Sequence, residues 1–361
     1  MLSHLQDKDI QRILLIRLRK IGDVLLMVPA IKAFRQKFPK AYIAALVNAG
    51  TESMLSGNPF LDEILIFDPL WKKLPFKQRI KKEWEFIWRI RQRRFDLAIN
   101  FTEGDRGAFL CLASGAPLKV GVLRKDSSFW WKKIIFHQLI DLGKVKGHVI
   151  EQLLEIPRSL GIEIQDKKLE IFYDTEDEAR INQILESAGI QKHDILVQIH
   201  PTSHWLFKCW RDEGVAEVID TLQERSGLRV VLTSGPDQRE LQKANNIINL
   251  CRSRPINLAG QLTLKQMAAL SHRCQLFIGV DTAPMHIAAA VGTPVVALFG
   301  PSGENNWGPW GEGHIVIKKD MPCRPCGKDG CGGSKKSRCL EEITAAEVLE
   351  AVWAILGRIT L

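Results

Sequence analysis

The stretch LFIGVDTAPMHIAAAVGTPVVALFG, residues 276–300, decides the fold class. Two short apolar runs flank a run of small residues, which predicts a buried strand, a close-packed helix and a second strand. Pro284 fits the first helical turn, where no backbone N–H is needed, and Gly292 ends the helix. The polar pair Asp281 and Thr282 lies at the turn between strand and helix. The stretch therefore predicts one strand-helix-strand unit of a parallel sheet.

The same alternation of strands and amphipathic helices continues along the chain, which is typical of a parallel sheet covered on both faces. An acidic turn and a helix between 175 and 190 separate two such series, so we predict two α/β domains. We place the first at 1–180, the second at 181–342, and a terminal helix with Thr344 as N-cap at 343–361, with packing back on the first domain as one arrangement. The predicted strands are 13–18, 41–46, 63–67, 97–101 and 119–122, then 195–200, 228–235, 256–260, 276–281 and 294–300.

Length and composition exclude several classes of protein. The chain has 361 residues, 45% of them hydrophobic, so it can bury a large core and is too long for a small disulfide scaffold. It contains no uncharged apolar run long enough for a membrane span. The charged N-terminus is predicted to hold the first strand and not a signal peptide. We therefore predict a cytoplasmic protein.

The cysteines form two groups. Four are scattered and are predicted to be reduced thiols in the core, whereas four near the C-terminus have the spacing C-x2-C-x4-C-x7-C. Four thiolates could surround zinc, but this spacing matches no standard zinc module, and a reduced or partly oxidised structural loop is an equal alternative. We predict no metal. The scattered cysteines are Cys111, Cys209, Cys251 and Cys274; the clustered ones are Cys323, Cys326, Cys331 and Cys339.

The positive charge is concentrated in one segment. The formal charge is +9, and residues 72–94 contain ten Lys or Arg against two Glu, a net of 10 − 2 = +8. Within this segment Ile80, Trp84, Ile87 and Trp88 fall on one face of a predicted helix.

Two interpretations of this basic aromatic helix are open. It can contact an anionic membrane surface or a phosphorylated lipid, or it can pack its aromatic side on the domain. A second basic aromatic run, RKDSSFWWKKIIF at 124–136, follows. Nucleic acid is disfavoured because no binding module is recognisable.

The first predicted strand ends in RLRKIGD, where Gly22 permits a tight turn and Asp23 opens a helix. Asp23 fits either an ordinary N-cap or a general base, since open parallel sheets bind ligands at their carboxyl ends. The run lacks the GxGxxG spacing of dinucleotide-binding loops, which disfavours a dehydrogenase.

The strand ILVQIHP leads into a loop with groups suited to a phosphate. Thr202 and Ser203 offer hydroxyls, and Lys208 offers a positive charge. After the strand VVLTSG, Asp237 is either a helix cap or an acceptor for a ribose hydroxyl.

The opening stretch adds a third strand end. The free backbone N–H groups of Thr282 and Ala283, with the helix dipole, favour an anion beside Asp281. Together the three turns predict a diphosphate site.

At these residues the sequence resembles the lipopolysaccharide heptosyltransferases, glycosyltransferase family 9, over nearly its whole length. The similar segments are ILLIRLRKIGDVLLMVPAIKAFRQKFP, HPTSHWLFKCWRDE and GVDTAPMHIAAAVGTPVVALFGPS, of which the last is highly specific. The terminal PCRPCGKDGCGGSKKSRCL is most similar to the subgroup that adds the third, branching heptose of the inner core.

The resemblance implies an α/β GT-B fold, two Rossmann-like domains with a cleft between them. The N-terminal domain would bind the acceptor and the C-terminal domain ADP-heptose. The implied reaction is an inverting transfer of heptose, without an essential metal or other cofactor.

Residue roles also follow from the resemblance. Asp23 corresponds to the catalytic base and Lys208 to the lysine that neutralises the leaving diphosphate. Ala283 replaces the glycine of the family's DTG segment, and Pro284 follows it. The implied donor-binding residues are Thr202, Ser203, Lys208, Asp237, Asp281, Thr282 and Ala283. The expected acceptor contacts, after the strand LAINF, are Asn100, Thr102, Glu103 and Arg106.

The implied acceptor is a phosphorylated, lipid-linked core. We therefore expect a peripheral enzyme at the inner face of the inner membrane, with an anionic surface as partner and no nucleic acid. Two alternatives are open: another core position or nucleotide sugar within the family, and a catalytically silent nucleotide- or lipid-binding module.

Overall fold

The computed structural model describes residues 10–123 and 131–359. The chain divides into two compact units, Met1–Phe172 and Tyr173–Leu361. Each unit contains one parallel six-stranded sheet, which confirms the predicted α/β class.

Six strands form the sheet of the first unit: β1 (Arg12–Arg17), β2 (Tyr42–Asn48), β3 (Glu63–Phe67), β4 (Leu97–Asn100), β5 (Leu118–Leu123) and β6 (Gln138–Asp141). They lie in the order β3-β2-β1-β4-β5-β6, and every neighbouring pair is parallel. This is the strand order of a Rossmann-like sheet.

Six strands form the sheet of the second unit: β7 (Ile195–His200), β8 (Leu228–Leu232), β9 (Ile256–Asn257), β10 (Leu276–Val280), β11 (Val295–Leu298) and β12 (Ile315–Ile317). Their order is β12-β11-β10-β7-β8-β9, again with parallel neighbours. When the strands are numbered from the start of this unit, their order in the sheet is the same as in the first unit.

Helices cover the sheets, because strands that are apolar on both faces need partners on both. Those of the first unit are α1 (Ile21–Leu25), α2 (Val28–Lys37), α3 (Phe76–Gln92), α4 (Asp105–Ala113), α5 (Lys132–Ile135) and α6 (Val149–Ser159). Those of the second are α7 (Thr175–Ser187), α8 (Asp212–Gln223), α9 (Gln238–Leu250), α10 (Leu264–Arg273), α11 (Ala283–Ala290), α12 (Glu304–Trp307), α13 (Arg338–Glu341) and α14 (Ala345–Ile359). Across the two described ranges, none of these helices is both long and apolar enough to cross a membrane.

The predicted strands each coincide with an observed strand, with differences of a few residues at the ends. Strands β6 and β12, which have four and three residues, were not predicted from the sequence. Both are edge strands, and so short a segment shows no periodicity.

The observed boundary between the units differs from the predicted division at 180. Helix α7 begins at Thr175 and packs against α10, so it belongs to the second unit. Its apolar residues Ile181 and Leu185 share a buried cluster with Leu196 and Leu270. A boundary at 180 would cut this helix in two.

The terminal helix α14 also belongs to the second unit. Val348, Val352 and Ile355 are buried in one core cluster with residues of α8, β10 and β11. The expectation that the helix also packs back on the first domain stays a prediction. Thr344 is confirmed as its cap, since the Thr344 Oγ1 accepts from the N–H of Glu347 at 3.3 Å.

Candidate active site

In both sheets the first and fourth strands of the unit are neighbours. After each of these two central strands the chain continues toward a different edge of the sheet. The loops that follow the two strands therefore border a ligand-binding crevice at their carboxyl ends. The loops follow Arg17 and Asn100 in the first unit, and His200 and Val280 in the second. The predicted site residues, apart from Asp237, lie in or directly beside these loops.

Asp23 lies in the first turn of α1 and is held by two arginines. Arg17 Nη2 lies 3.2 Å from Asp23 Oδ1, and Arg19 Nε lies 3.8 Å from the same oxygen. The N-cap position is Lys20, so Asp23 is not the helix cap that one interpretation of the sequence allowed. Buried Arg17 also donates to the carbonyl of Phe101. These contacts fix a partly exposed carboxylate at the end of β1.

The buried side chains of Asn100 and Thr102 connect the loop after β4 to the loop after β1. The Asn100 Oδ1 accepts from the N–H of Thr102, and the Thr102 Oγ1 accepts from the N–H of Leu18, both at 3.0 Å. Both side chains are buried, and Gly107 makes room for Asn100 because a Cβ there would lie 2.4 Å from its Oδ1. Direct acceptor contacts by these two residues stay a prediction, and their oxygens already accept hydrogen bonds inside the protein.

Arg106 lines an open pocket of about 230 Å³ at the carboxyl ends of β1, β2 and β3. Its guanidinium lies 3.4 Å from Glu83 Oε1 and 5.3 Å from the centre of the Phe67 ring. Lys72 lines the same pocket. Glu103, half-buried in the loop after β4, is not among the lining residues. The pocket therefore presents two cationic groups and one carboxylate.

Lys208 and Asp281 form an ion pair in the second unit. The Lys208 Nζ lies 2.6 Å from Asp281 Oδ2, with side-chain exposures of 24% and 9%. The pair forms because Gly279 lies opposite His200, which brings the ends of β10 and β7 side by side. Two residues that the sequence predicted as separate donor contacts are thus joined.

The N-terminus of α11 directly follows this ion pair. Thr282 occupies the N-cap position without a side-chain capping bond, and Ala283 and Pro284 form the start of the helix. Gly292, with φ of 83°, follows its end, as predicted. The backbone N–H groups of the first turn and the Lys208 charge therefore lie at one end of the sheet.

Thr202 and Ser203 are buried in the loop after β7. The Thr202 Oγ1 donates to Glu240 Oε2 at 2.7 Å, and the Ser203 Oγ accepts from the N–H of Trp205 at 3.3 Å. Thr202 is fully buried and its hydroxyl braces the loop, and a donor contact by this residue stays a prediction. A donor contact by Ser203, 4% exposed, stays a prediction.

Asp237 is the N-cap of α9. Its Oδ1 accepts from the backbone N–H of Arg239 at 3.0 Å and from Arg239 Nε at 3.1 Å. The hydrogen bonds and charge of Arg239 lower the pKa of Asp237. The helix-cap interpretation is confirmed, and a second role at a ribose stays a prediction.

Three residues that organise the site were missed from the sequence. Arg17 holds Asp23, Glu240 holds Thr202, and His200 lies 3.0 Å from the Thr233 hydroxyl through its Nδ1. Burial lowers the pKa of His200 to about 3, so its ring is neutral near pH 7. Arg17 and His200 could have been found, since each is a polar residue ending an apolar strand.

The segment that carries the clustered cysteines, residues 323–339, supports the loop after β7. The Ser337 Oγ donates to the carbonyl of Phe207 at 2.6 Å, directly before Lys208. The eight cysteines are free thiols, and within the described ranges no three His, Cys, Asp or Glu side chains are placed to hold a metal ion. The zinc and structural-loop interpretations of these cysteines both stay predictions.

Comparison with known proteins gives consistent results. Residues 84–336 match the family described as glycosyltransferase family 9 (heptosyltransferase). A lipopolysaccharide heptosyltransferase 3 from Escherichia coli is 33% identical over 342 residues, 93% of this chain and 96% of that protein.

Solved structures share the fold. A glycosyltransferase of family 9 from Veillonella parvula superposes with a TM-score of 0.84 at 24% identity, covering 98% of this chain and 99% of that one. The E. coli heptosyltransferase WaaC, solved with ADP, gives 0.74 at 19% identity, covering 95% and 99%. These likenesses confirm the predicted GT-B fold. The family match over residues 84–336 and the E. coli relative show that the chain belongs to glycosyltransferase family 9 (heptosyltransferase) and is a glycosyltransferase.

Proposed function

We propose that the protein transfers heptose from ADP-heptose to the inner core of lipopolysaccharide, at the third, branching position and with inversion at the anomeric carbon. The observation that carries the proposal is the Lys208–Asp281 ion pair beside the start of α11. The name of the E. coli relative supports the acceptor and position, and the ADP in the WaaC structure supports the donor.

The donor's diphosphate is proposed to bind at Lys208 and the first turn of α11. The lysine and the helix N-terminus supply positive charge where the departing ADP gains negative charge. Asp281 orients the Lys208 ammonium at 2.6 Å and can accept from a heptose hydroxyl. Asp237 is proposed to accept from the ribose. In this scheme the protein's own groups stabilise the leaving group, so we propose transfer without a metal or other cofactor.

Asp23 is proposed as the general base. Its carboxylate takes the proton of the acceptor hydroxyl as that oxygen forms a bond to the anomeric carbon, and the bond from this carbon to the diphosphate oxygen breaks. Arg17 and Arg19 both contact Oδ1, so we assign the proton to Oδ2. Attack opposite the leaving group inverts the anomeric centre.

The acceptor is proposed to bind in the pocket lined by Arg106, Lys72 and Glu83. Two cationic side chains suit a phosphorylated sugar, and the carboxylate suits its hydroxyls. Because the acceptor is linked to lipid, we propose that the enzyme works peripherally at the inner face of the inner membrane, on an anionic surface.

A transfer assay tests the proposed function. The protein is incubated with ADP-heptose and a lipopolysaccharide truncated before the branching heptose, and released ADP and product mass are measured. Asp23→Asn should lower kcat by roughly 10²- to 10⁴-fold while donor affinity stays unchanged, because the base is lost and the donor site is not.

Asp166→Asn provides the matched control for this variant. Asp166 is also paired with a cation of the first unit, Lys32, but lies away from the strand-end loops. It should retain the parent rate. Absence of both ADP release and mass gain for the parent protein would refute the proposed function, and full turnover by Asp23→Asn would refute the role of the base.

A further inference from the structure

Helix α3 carries an exposed apolar stripe. Phe76, Ile80, Trp84 and Trp88 are spaced four residues apart and are 75%, 51%, 67% and 57% exposed. The helix packs on the domain through another side, where Phe86 and Ile90 are buried. The structure therefore contradicts the interpretation in which the aromatic side of this helix covers the domain.

The stripe lies among positive charges. The exposed side chains of α3 and the turn before it include five cationic groups: Lys72, Lys73, Lys77, Lys82 and Arg89. Glu83 and Glu85 are engaged by neighbouring cations, Glu83 by Arg79 at 3.1 Å and Glu85 by Lys81 at 4.0 Å. An anionic partner therefore meets an excess of positive charge around an apolar centre.

Further apolar groups are exposed next to this helix. Helix α4, which packs against α3, exposes Phe109 and Leu112, and α5, which packs against α4, exposes Ile134 to 74%. Residues 124–130 of the second basic run lie outside the described residues, so only its end contributes here.

We propose that this face of α3 docks on an anionic phospholipid bilayer, with Trp84 and Trp88 in the interface and the lysines against lipid phosphates. Exposed Trp and Phe on one face with Lys and Arg beside them is the composition of helices that lie in a membrane surface. A protein partner that covered this face would have to bury both tryptophans among lysines. The headgroup region of a bilayer accommodates tryptophan rings and lysine ammonium groups side by side.

Docking through α3 has a consequence for the acceptor, which rests on the proposed function. Glu83 of this helix lines the pocket together with Arg106 and Lys72. A membrane-bound α3 would hold this pocket close to the headgroups, where the sugars of a lipid-linked core begin.

Vesicle sedimentation tests the inference, with vesicles of phosphatidylcholine alone and of phosphatidylcholine mixed with phosphatidylglycerol. The parent protein should bind the anionic vesicles more tightly. Trp84→Ser with Trp88→Ser, and separately Lys77→Gln with Lys82→Gln, should each lower this partitioning by about tenfold or more. The matched controls remove exposed groups elsewhere and should leave the partitioning unchanged. They are Leu250→Ser for the loss of an apolar group, and Lys40→Gln with Lys192→Gln for the loss of charge.

Three results would overturn the inference: equal binding to both kinds of vesicle, unchanged binding by the α3 variants, or self-association of the parent that the tryptophan variant abolishes. Sedimentation needs no donor, so its outcome is independent of the proposed reaction. With a deacylated, water-soluble acceptor, the α3 variants should transfer at the parent rate, which separates loss of docking from loss of catalysis.

Discussion

At the scale of single residues, the Lys208–Asp281 pair is the contact on which the proposed chemistry depends most. The carboxylate is 9% exposed, so removal of the lysine would leave a nearly buried charge without its partner. The two residues therefore act as one unit, and their separate substitutions should not have additive effects.

A double-mutant cycle tests this coupling. Lys208→Met should lower kcat by roughly 10²- to 10³-fold because the charge on the leaving diphosphate is no longer stabilised. Lys208→Met with Asp281→Asn should cost less than the product of the two single effects. Lys319→Met removes the partner of Glu347 at 2.7 Å, outside the loops that follow β1, β4, β7 and β10, and should leave the transfer rate unchanged. Additive effects would argue against a functional pair.

His200 should make the second unit sensitive to acid. Burial lowers its pKa from 6.5 to about 3. Between pH 6.5 and pH 3, His200 is therefore protonated in the unfolded chain and neutral in the folded chain. Its contribution to stability is present above pH 6.5 and is lost as the pH falls. A change from pH 7 to pH 5 should lower the free energy of unfolding by about 2 kcal/mol, because this group is protonated only in the unfolded chain.

Urea unfolding at pH 7 and pH 5 measures this loss. His200→Gln should show a smaller difference between the two pH values, whereas His193→Gln, which changes an exposed histidine, should behave like the parent protein. An equal pH dependence in all three proteins would show that His200 is not the responsible group.

The positions of candidate site residues could be predicted from the sequence only where local pattern determines them. Asp23, Lys208 and Asp281 follow strand ends, and this position is visible in the sequence. The bond from Thr202 to Glu240 joins residues 38 positions apart, and no local pattern encodes such a pairing. For the same reason the burial of Asn100 and Thr102 was not foreseen.

At the scale of elements, the contact between β7 and β10 brings Lys208 and Asp281 together. A Cβ added at Gly279 would lie 2.9 Å from the carbonyl oxygen of His200, a backbone atom that cannot move aside. The close approach of the two strand ends therefore requires glycine at this position.

Gly279→Ala should destabilise the second unit by about 1–3 kcal/mol, because the strands must separate to relieve the clash. Gly357→Ala is the matched control, since nothing lies within 4 Å of a Cβ at this position of α14. It should be neutral or stabilising by about 0.5–1 kcal/mol. Thermal unfolding compares the two variants, and equal melting temperatures would contradict the steric argument.

The sequence predicted central strands better than edges and boundaries. Buried strands such as β10 and β11 contain only apolar residues and glycine, whereas β6 and β12 are short and half-buried. The placement of α7 depends on its packing against α10, nearly a hundred residues later, which periodicity cannot reveal.

At the scale of the whole molecule, the thiols should divide by burial. Burial raises the pKa of Cys111 and of Cys274 to about 12, so neither forms thiolate at neutral pH. Cys323 and Cys331 are exposed. Cys251 and Cys326 are partly exposed and Cys339 is buried, so accessibility does not follow the division into scattered and clustered cysteines.

Alkylation with iodoacetamide under native conditions, followed by peptide mass spectrometry, should label Cys323 and Cys331 first. Cys111 and Cys274 should be labelled only after denaturation, which also serves as the control for complete reactivity. Native labelling of Cys111 as fast as that of Cys323 would contradict the burial of the first.

The inclusion of α14 in the core of the second unit determines when each half of the protein can fold during synthesis. The sheet of the first unit is complete once residue 141 has left the ribosome, so this unit can fold while the rest is translated. The core of the second unit needs Val348, Val352 and Ile355, which are translated about 200 residues after the first sheet is complete. A frameshift or early stop in the final helix would therefore release a chain with a folded first half and an exposed apolar sheet in the second, a substrate for proteases.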